Sequence, residues 1–255
     1  MINPALVPSR FVFDGGDIGI LLLHGYTAAT PEVRPMGEYL ANRGMRVVAP
    51  LLPGHGTTVA DLNTRTWREI ADAAAGELYE LQSHCSQVFV GGVSMGGLLA
   101  LHLGERCSGI AGLIAMAPAL QMSDRFRFLL PIAKHFIAST AKSKDVHLSV
   151  QDAASASLIW SYDRNPLRFA DELVALMHEV RDHLDRLALP ILVFHGEHDR
   201  SVPVSASELI AKRAPKSDVE LVRLADSGHC LSIDGEREQV FAKSWQWIQE
   251  QLEKA

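Results

Sequence analysis

Gln87-Val88-Phe89-Val90-Gly91-Gly92-Val93-Ser94-Met95-Gly96-Gly97 is the stretch whose reading decides the architecture. Its first half is a short apolar run rich in β-branched residues, which predicts a fully buried strand. Leu98 to Arg106, carrying Leu98, Leu99, Leu101, His102 and Leu103, predicts a buried helix. Between them stands Gly92-x-Ser94-x-Gly96, a serine between glycines in the strand–turn–helix setting of a nucleophile elbow. The glycines are mechanical there, because strand and helix approach closely on either side of a strained serine. Such a turn exposes the Ser94 hydroxyl above the sheet, at the positive end of a helix that starts at Met95. A glycine-rich turn with a solvated serine is the plainer reading, and the rest of the chain has to decide between them.

Upstream, Phe11-Val12-Phe13 suggests an edge strand closed by the turn Asp14 to Asp17. The continuous apolar run Ile18 to Leu23 predicts a buried central strand, ending on His24-Gly25-Tyr26-Thr27. Pro31 suits the first turn of a helix that runs through Met36, Tyr39 and Leu40 to a stop at Gly44. Met45 to Ala49 is the next strand, followed by Pro50 to Thr57. Trp67, Ile70, Ala74, Leu78 and Leu81 recur at helical spacing. Downstream of the elbow, Ile110 to Ala117 is another buried strand.

The alternation then breaks, and Ala119 to about Arg186 offers helix-like segments with many large apolar groups and no clean buried strand. Two packing helices would explain it. An inserted cap of residues 119–186, over a core of 1–118 and 187–255, explains its length and its aromatics better. The rhythm returns with strand Ile191 to Phe194, helix Ser205 to Arg213, strand Val219 to Leu224 and a helix from about Glu236 to Leu252. Strands alternating with helices imply an α/β fold with a mainly parallel, doubly wound sheet, whose ligands bind at the carboxyl ends of the strands.

Composition narrows the partners. The 255 residues, 47% hydrophobic and 21% charged, suit one large α/β domain or two small ones. A net charge of −6 disfavours nucleic acid and anionic membrane. No run of 18 apolar residues exists, and Met1 to Gly16 lacks the apolar core of a signal peptide. The three cysteines show no metal-ligand spacing, and an odd count argues for free thiols in a reducing compartment, hence a cytoplasmic protein. Nothing in the sequence sets the oligomeric state.

A catalytic serine needs a base and a group that orients the base. Asp199 follows strand Ile191 to Phe194, in His195-Gly196-Glu197-His198-Asp199, and His229 follows strand Val219 to Leu224, in Ser227-Gly228-His229-Cys230. The order Ser94, Asp199, His229 is the one expected of an α/β-hydrolase, and each residue falls just past a strand. Glu197 is the rival acid, and Asp226 lies too close to His229 along the chain to orient it. Among the 11 histidines, His24 and His55 are read as holding loops near the site. His195 and His198, with Glu197 and Asp199, could suggest a metal site, but no other spaced ligand set supports one. In this fold the two oxyanion donors are the N–H of the residue after the nucleophile and one in the loop after the His-Gly turn, here Met95 and Tyr26.

His24 to Thr27, Leu52-Pro53-Gly54-His55-Gly56-Thr57, Trp67, Gly92 to Gly97, Asp199 with Val202-Pro203, and Ser227 to His229 together resemble the α/β-hydrolases. More closely the chain resembles the bacterial monoacylglycerol lipases and related small carboxylesterases, from about Gly15 to Leu252. The resemblance implies a serine esterase that cleaves monoacylglycerols or short-to-medium acyl esters through an acyl-enzyme, with no cofactor and no metal. Tyr26 stands where many relatives have Phe. An acyl tunnel would be lined by Phe126, Phe128, Leu129, Ile132, Phe136 and Ile159. Tyr162-Asp163-Arg164-Asn165-Pro166 resembles the segment in which those lipases place a glycerol-recognising Glu, here the shorter Asp163. Three alternatives stay open: a hydrolase of thioesters or C–C bonds, an acyltransferase, and a non-catalytic binding module.

Overall fold

The computed structural model describes residues 3–121, 130, 132–143 and 150–254. Among them, seven strands form one sheet: β1 (Phe11–Phe13), β2 (Ile18–Leu23), β3 (Arg46–Ala49), β4 (Gln87–Val93), β5 (Gly112–Met116), β8 (Ile191–Gly196) and β9 (Val219–Leu224). They lie in the order β1-β3-β2-β4-β5-β8-β9. Only β1 runs antiparallel, against β3; every other pairing is parallel. A short antiparallel pair, β6 (Ser139–Ala141) and β7 (Arg164–Pro166), stands outside the sheet. It lies in the stretch whose pattern promised no clean strand, because three residues are too few to show a period.

The continuous apolar runs are explained by burial on both faces. Along β2, Leu21 and Leu23 enter the core on one face and Ile20 and Leu22 the core on the other. Along β4, Val88 and Val90 take the first face, Phe89 and Val93 the second. The first face is covered by α3 (Trp67–Gln82), α4 (Met95–Arg106), α5 (Leu167–His183) and α6 (Ser205–Arg213). The second is covered by α1 (Arg34–Ala41) and α7 (Arg237–Lys254), with the short α2 (Val59–Leu62) standing before α3. Helix α3 begins on a full capping box, in which the Thr66 hydroxyl accepts from the Glu69 N–H and the Glu69 carboxylate accepts from the Thr66 N–H. Gly44 takes φ +90 after α1, and a 3₁₀ turn at Thr30–Glu32 precedes that helix.

Within 119–186, α5 buries Phe169, Leu173, Leu176, Met177 and Val180 against α3 and α4, in the same core as the sheet. It is a crossover helix between β5 and β8 that packs into the sheet's own core. No helix among the described residues is long and apolar enough to cross a membrane.

Candidate active site

Ser94 sits between β4 and α4 at φ 56 and ψ −111, a left-handed backbone for a residue with a side chain. Such a conformation costs on the order of 1–3 kcal/mol, and the surrounding structure has to impose it. The glycines make the turn possible. A Cβ on Gly96 would fall 2.0 Å from the Leu23 carbonyl oxygen, and one on Gly92 would fall 2.3 Å from the Gly96 backbone. The Ser94 N–H donates to the Met116 carbonyl at 2.9 Å, tying the turn to the end of β5. Ser94 is 8% exposed, and its hydroxyl stands at the N-terminus of α4.

At the carboxyl ends of β8 and β9 the structure brings Asp199 and His229 together, His229 Nδ1 donating to Asp199 Oδ2 at 2.7 Å. The other carboxylate oxygen, Oδ1, accepts the N–H groups of Ser201 at 2.7 Å and Val202 at 2.9 Å. Burial alone would raise the Asp199 carboxyl. The His229 charge and the hydrogen bonds from His195, His229 and Val202 outweigh burial and hold the carboxyl below the usual range. Burial likewise presses the His229 imidazole down, but the Asp199 charge and hydrogen bond and the Glu32 charge leave it raised above 6.5. Glu197, the rival acid, is exposed and pairs with Arg223 at 3.3 Å.

The loop carrying His229 is cinched from below. The buried Asp234 carboxylate accepts from the N–H groups of Gly228, Gln151 and Asp152, and Glu236 accepts from the Asp226 N–H and the Ser227 hydroxyl. His195 is fully buried and both ring nitrogens are engaged, Nδ1 with the Ser207 hydroxyl at 2.6 Å and Nε2 with the Val202 carbonyl at 3.0 Å. A ring with both nitrogens committed has no lone pair to offer a metal. His198 is exposed.

His24 accepts the Leu52 N–H on Nε2, so its Nδ1 carries the proton and donates to the Gly25 carbonyl. Its ring lies edge-on to His55, 4.7 Å between centroids. Burial, and secondarily His55, keeps His24 neutral. These two histidines join the 24–27 loop to the 52–57 loop.

Tyr26 and Met95 stand at the two candidate donor positions, and among the described residues neither N–H is engaged in a hydrogen bond. The Tyr26 side chain is not free to shape a pocket. Its hydroxyl donates to the Pro166 carbonyl at 2.7 Å and its ring stacks on Phe169, 5.9 Å between centroids. The neighbouring Thr27, at φ 127, accepts the Tyr162 N–H on its carbonyl, while the Tyr162 hydroxyl donates to the Gly54 carbonyl at 2.8 Å. Segment 161–166 thus holds both loops at the serine.

The tunnel expectation needs correcting. Ile132 and Phe136 are 65% and 84% exposed, so neither lines a closed tunnel. Leu130 takes the buried place against Leu167 and Ala170, and residues two and six positions on fall on the opposite side of a helical turn. Phe126, Phe128 and Leu129 lie outside the described residues. Ile159 is half-buried and packs against Val150, Cys230 and Ile233, beside the His229 loop. Asp163 is exposed, so its carboxylate is not the desolvated acceptor that glycerol recognition would need.

Sequence reading missed two charged residues near the site, the buried Glu32 and the half-buried Lys142. Glu32 accepts the Gly25 N–H at 2.7 Å, and Lys142 donates to the hydroxyls of Thr27 and Ser161. Glu32 lies seven residues from Gly25 with no motif around it. Lys142 reaches the loop across 115 residues, a proximity that no local pattern encodes.

Comparison with known proteins gives a consistent picture. The family model described as serine aminopeptidase, S33, matches residues 18–236. A thermostable monoacylglycerol lipase of Bacillus sp. (strain H-257) is 29% identical, over 93% of this chain and 93% of its own. A carboxylesterase of Bacillus subtilis (strain 168) is 26% identical, over 96% and 97%. Among solved structures, one from work on the metagenome-derived lipolytic enzymes LipS and LipT superposes with a TM-score of 0.89 at 25% identity, over 98% of this chain and 100% of its own. From sheet order, strained serine and matched span, the chain belongs to the serine aminopeptidase S33 family and has the α/β-hydrolase fold.

Proposed function

We propose that the protein is a serine hydrolase of carboxylic esters, acting on monoacylglycerols or short-to-medium acyl esters through an acyl-enzyme. The observations that carry this reading are two, both past the carboxyl ends of strands of one sheet: a serine forced to φ 56 at a helix N-terminus, and a histidine donating at 2.7 Å to a buried carboxylate. Ser94 Oγ attacks the ester carbonyl while His229 Nε2 takes its proton. Asp199 holds the Nδ1–H tautomer and balances the imidazolium charge. The N–H groups of Tyr26 and Met95 stabilise the tetrahedral oxyanion, helped by the positive end of α4. The imidazolium then protonates the leaving alcohol, and water activated by the neutral imidazole releases the acid.

Full-length relatives named for ester cleavage support the bond type, so the aminopeptidase of the family's description is not carried over. Residues 119–166 are assigned as the cap, and the three free thiols suit a cytoplasmic setting. A fluorophosphonate should form one adduct, on the peptide containing Ser94, and Ser94→Ala should lose both the adduct and ester turnover. Activity surviving in Ser94→Ala, or labelling elsewhere, sinks the mechanism.

A further inference from the structure

We propose that Glu32 and Lys142 are positioning residues that grip the oxyanion loop Gly25–Thr27 from two sides and bracket His229 with opposite charges. The inference rests on the function proposed above and adds two residues to it.

The grip is visible in the hydrogen bonds. Glu32 is 5% exposed, its carboxylate accepts the Gly25 N–H at 2.7 Å, and its own carbonyl accepts the Ser232 hydroxyl at 2.7 Å, three residues beyond His229. A Cβ on Gly25 would stand 3.2 Å from the Glu32 carboxylate and 3.5 Å from Ser94 Cβ, so the carboxylate presses on the loop where it passes the nucleophile. Lys142, just past β6, donates its amino protons to Thr27 Oγ1 and to Ser161 Oγ at 2.6 Å, and its N–H donates to the Asp163 carbonyl at 3.0 Å. Gly25 and Thr27 are the two neighbours of Tyr26, whose N–H is assigned to the oxyanion. Fixing both neighbours fixes the aim of the amide between them, which is what preorganised stabilisation requires.

The charges act on the base as well. His229 is faced by Asp199 and Glu32, which favour imidazolium, and by Lys142, which opposes it. Lys142 is faced by Cys230, Glu32 and Asp163, and burial brings its pKa down to about 8. Glu32 is faced by His229, Lys142 and the Cys230 thiol, which donates to it; burial pushes its carboxyl up against these contacts. Ionised Glu32 favours the imidazolium and protonated Lys142 opposes it. Asp199 touches it, and Glu32 and Lys142 trim the result.

Glu32→Gln keeps an acceptor for the Gly25 N–H and removes the negative charge. Lys142→Gln keeps a donor for Thr27 and removes the positive one. The rate of fluorophosphonate labelling at Ser94 is followed against pH, together with kcat and KM on one ester and a nuclear magnetic resonance titration of the His229 ring. Glu32→Gln should move the acid limb and the ring titration down by about half a unit or more, and Lys142→Gln should move both up by a similar amount. The double variant should return close to the wild-type limb. Both single variants should lose about tenfold in kcat with KM little changed. Limbs that stay in place, or move the same way in both variants, overturn the inference while leaving the Ser94 adduct intact. Loss of that adduct from the wild type overturns the function instead. Should Glu32→Gln fail to fold, the upward shift in Lys142→Gln still decides.

Discussion

Asp199 and Glu197 are two residues apart with the same functional group, and their environments separate them completely. The Asp199 side chain is 0% exposed and spends both oxygens on donors from three directions, whereas Glu197 reaches out to Arg223 in solvent. Asp199→Asn should therefore lower kcat by a factor on the order of 10⁴, by favouring the wrong imidazole tautomer. Glu197→Gln should leave kcat within about twofold, since exposed ion pairs contribute little. The reverse ranking would transfer the orienting role to Glu197. The same residues set the pH profile. His229 must be neutral to accept the serine proton, and its pKa is raised, so kcat/KM should climb with pH through a midpoint above 6.5. A midpoint below 6.5 would mean that Asp199 does not balance the imidazolium.

Helix α4 carries a conflict between its two ends. Its first turn presents Ser94, and its last turn holds Glu105, whose two carboxylate oxygens are buried with no hydrogen-bond partner among the described residues. Burial, assisted by the charges of Glu179 and Asp185 and opposed by Arg106 and Arg186, pushes this carboxyl up to about 8. A folded-state pKa above the unfolded value of about 4.5 means that the neutral acid is the form the fold prefers. The contribution is whole below pH 4.5 and is lost as pH rises through 8. Glu105→Gln supplies a permanently neutral side chain of the same shape, so it should match the wild type at pH 4 and exceed its thermal midpoint at pH 9. Parallel stability curves for the two proteins across that range would show that Glu105 ionises freely in the fold.

At the scale of the whole molecule, the ester proposed as substrate has to reach Ser94 at the carboxyl ends of the strands. Burying each acyl methylene is worth about 0.8 kcal/mol, so p-nitrophenyl butyrate and octanoate should exceed acetate in kcat/KM until the apolar contacts are used up. A flat or falling series would place the acyl chain in solvent. For the alcohol side, Asp163 is exposed, and a solvated carboxylate discriminates weakly. Asp163→Ala should change turnover of a 1-monoacylglycerol and of the methyl ester of the same acid by equal factors within about twofold. A selective loss of tenfold or more on the monoacylglycerol would show that Asp163 is desolvated against the glycerol.

Periodicity and punctuation were sufficient for every strand of the main sheet. Ile18 to Leu23 is bounded to the residue, because a strand buried on both faces is a continuous apolar run with polar or glycine ends, and Val219 to Leu224, the half-buried edge strand, is bounded to the residue as well. The elbow was legible for the same reason: Gly92 and Gly96 are demanded by backbone approach within one turn, so their cause is local. The chain order of Ser94, Asp199 and His229 followed from each standing just past a strand. What the sequence left open was every choice that depends on distance through space. Asp199 was separated from Glu197 by which carboxylate faces inward, and Ile132 and Phe136 are apolar yet exposed because Leu130 already fills the available contact. Tyr26 acquired its hydrogen bond from Pro166, 140 residues on, and Glu32 and Lys142 acquired their partners from loops that only the folded sheet edge brings together. Hydrophobic patterning is written along the chain because burial acts on each residue separately, whereas the aim of a polar group depends on a partner whose position only tertiary packing supplies.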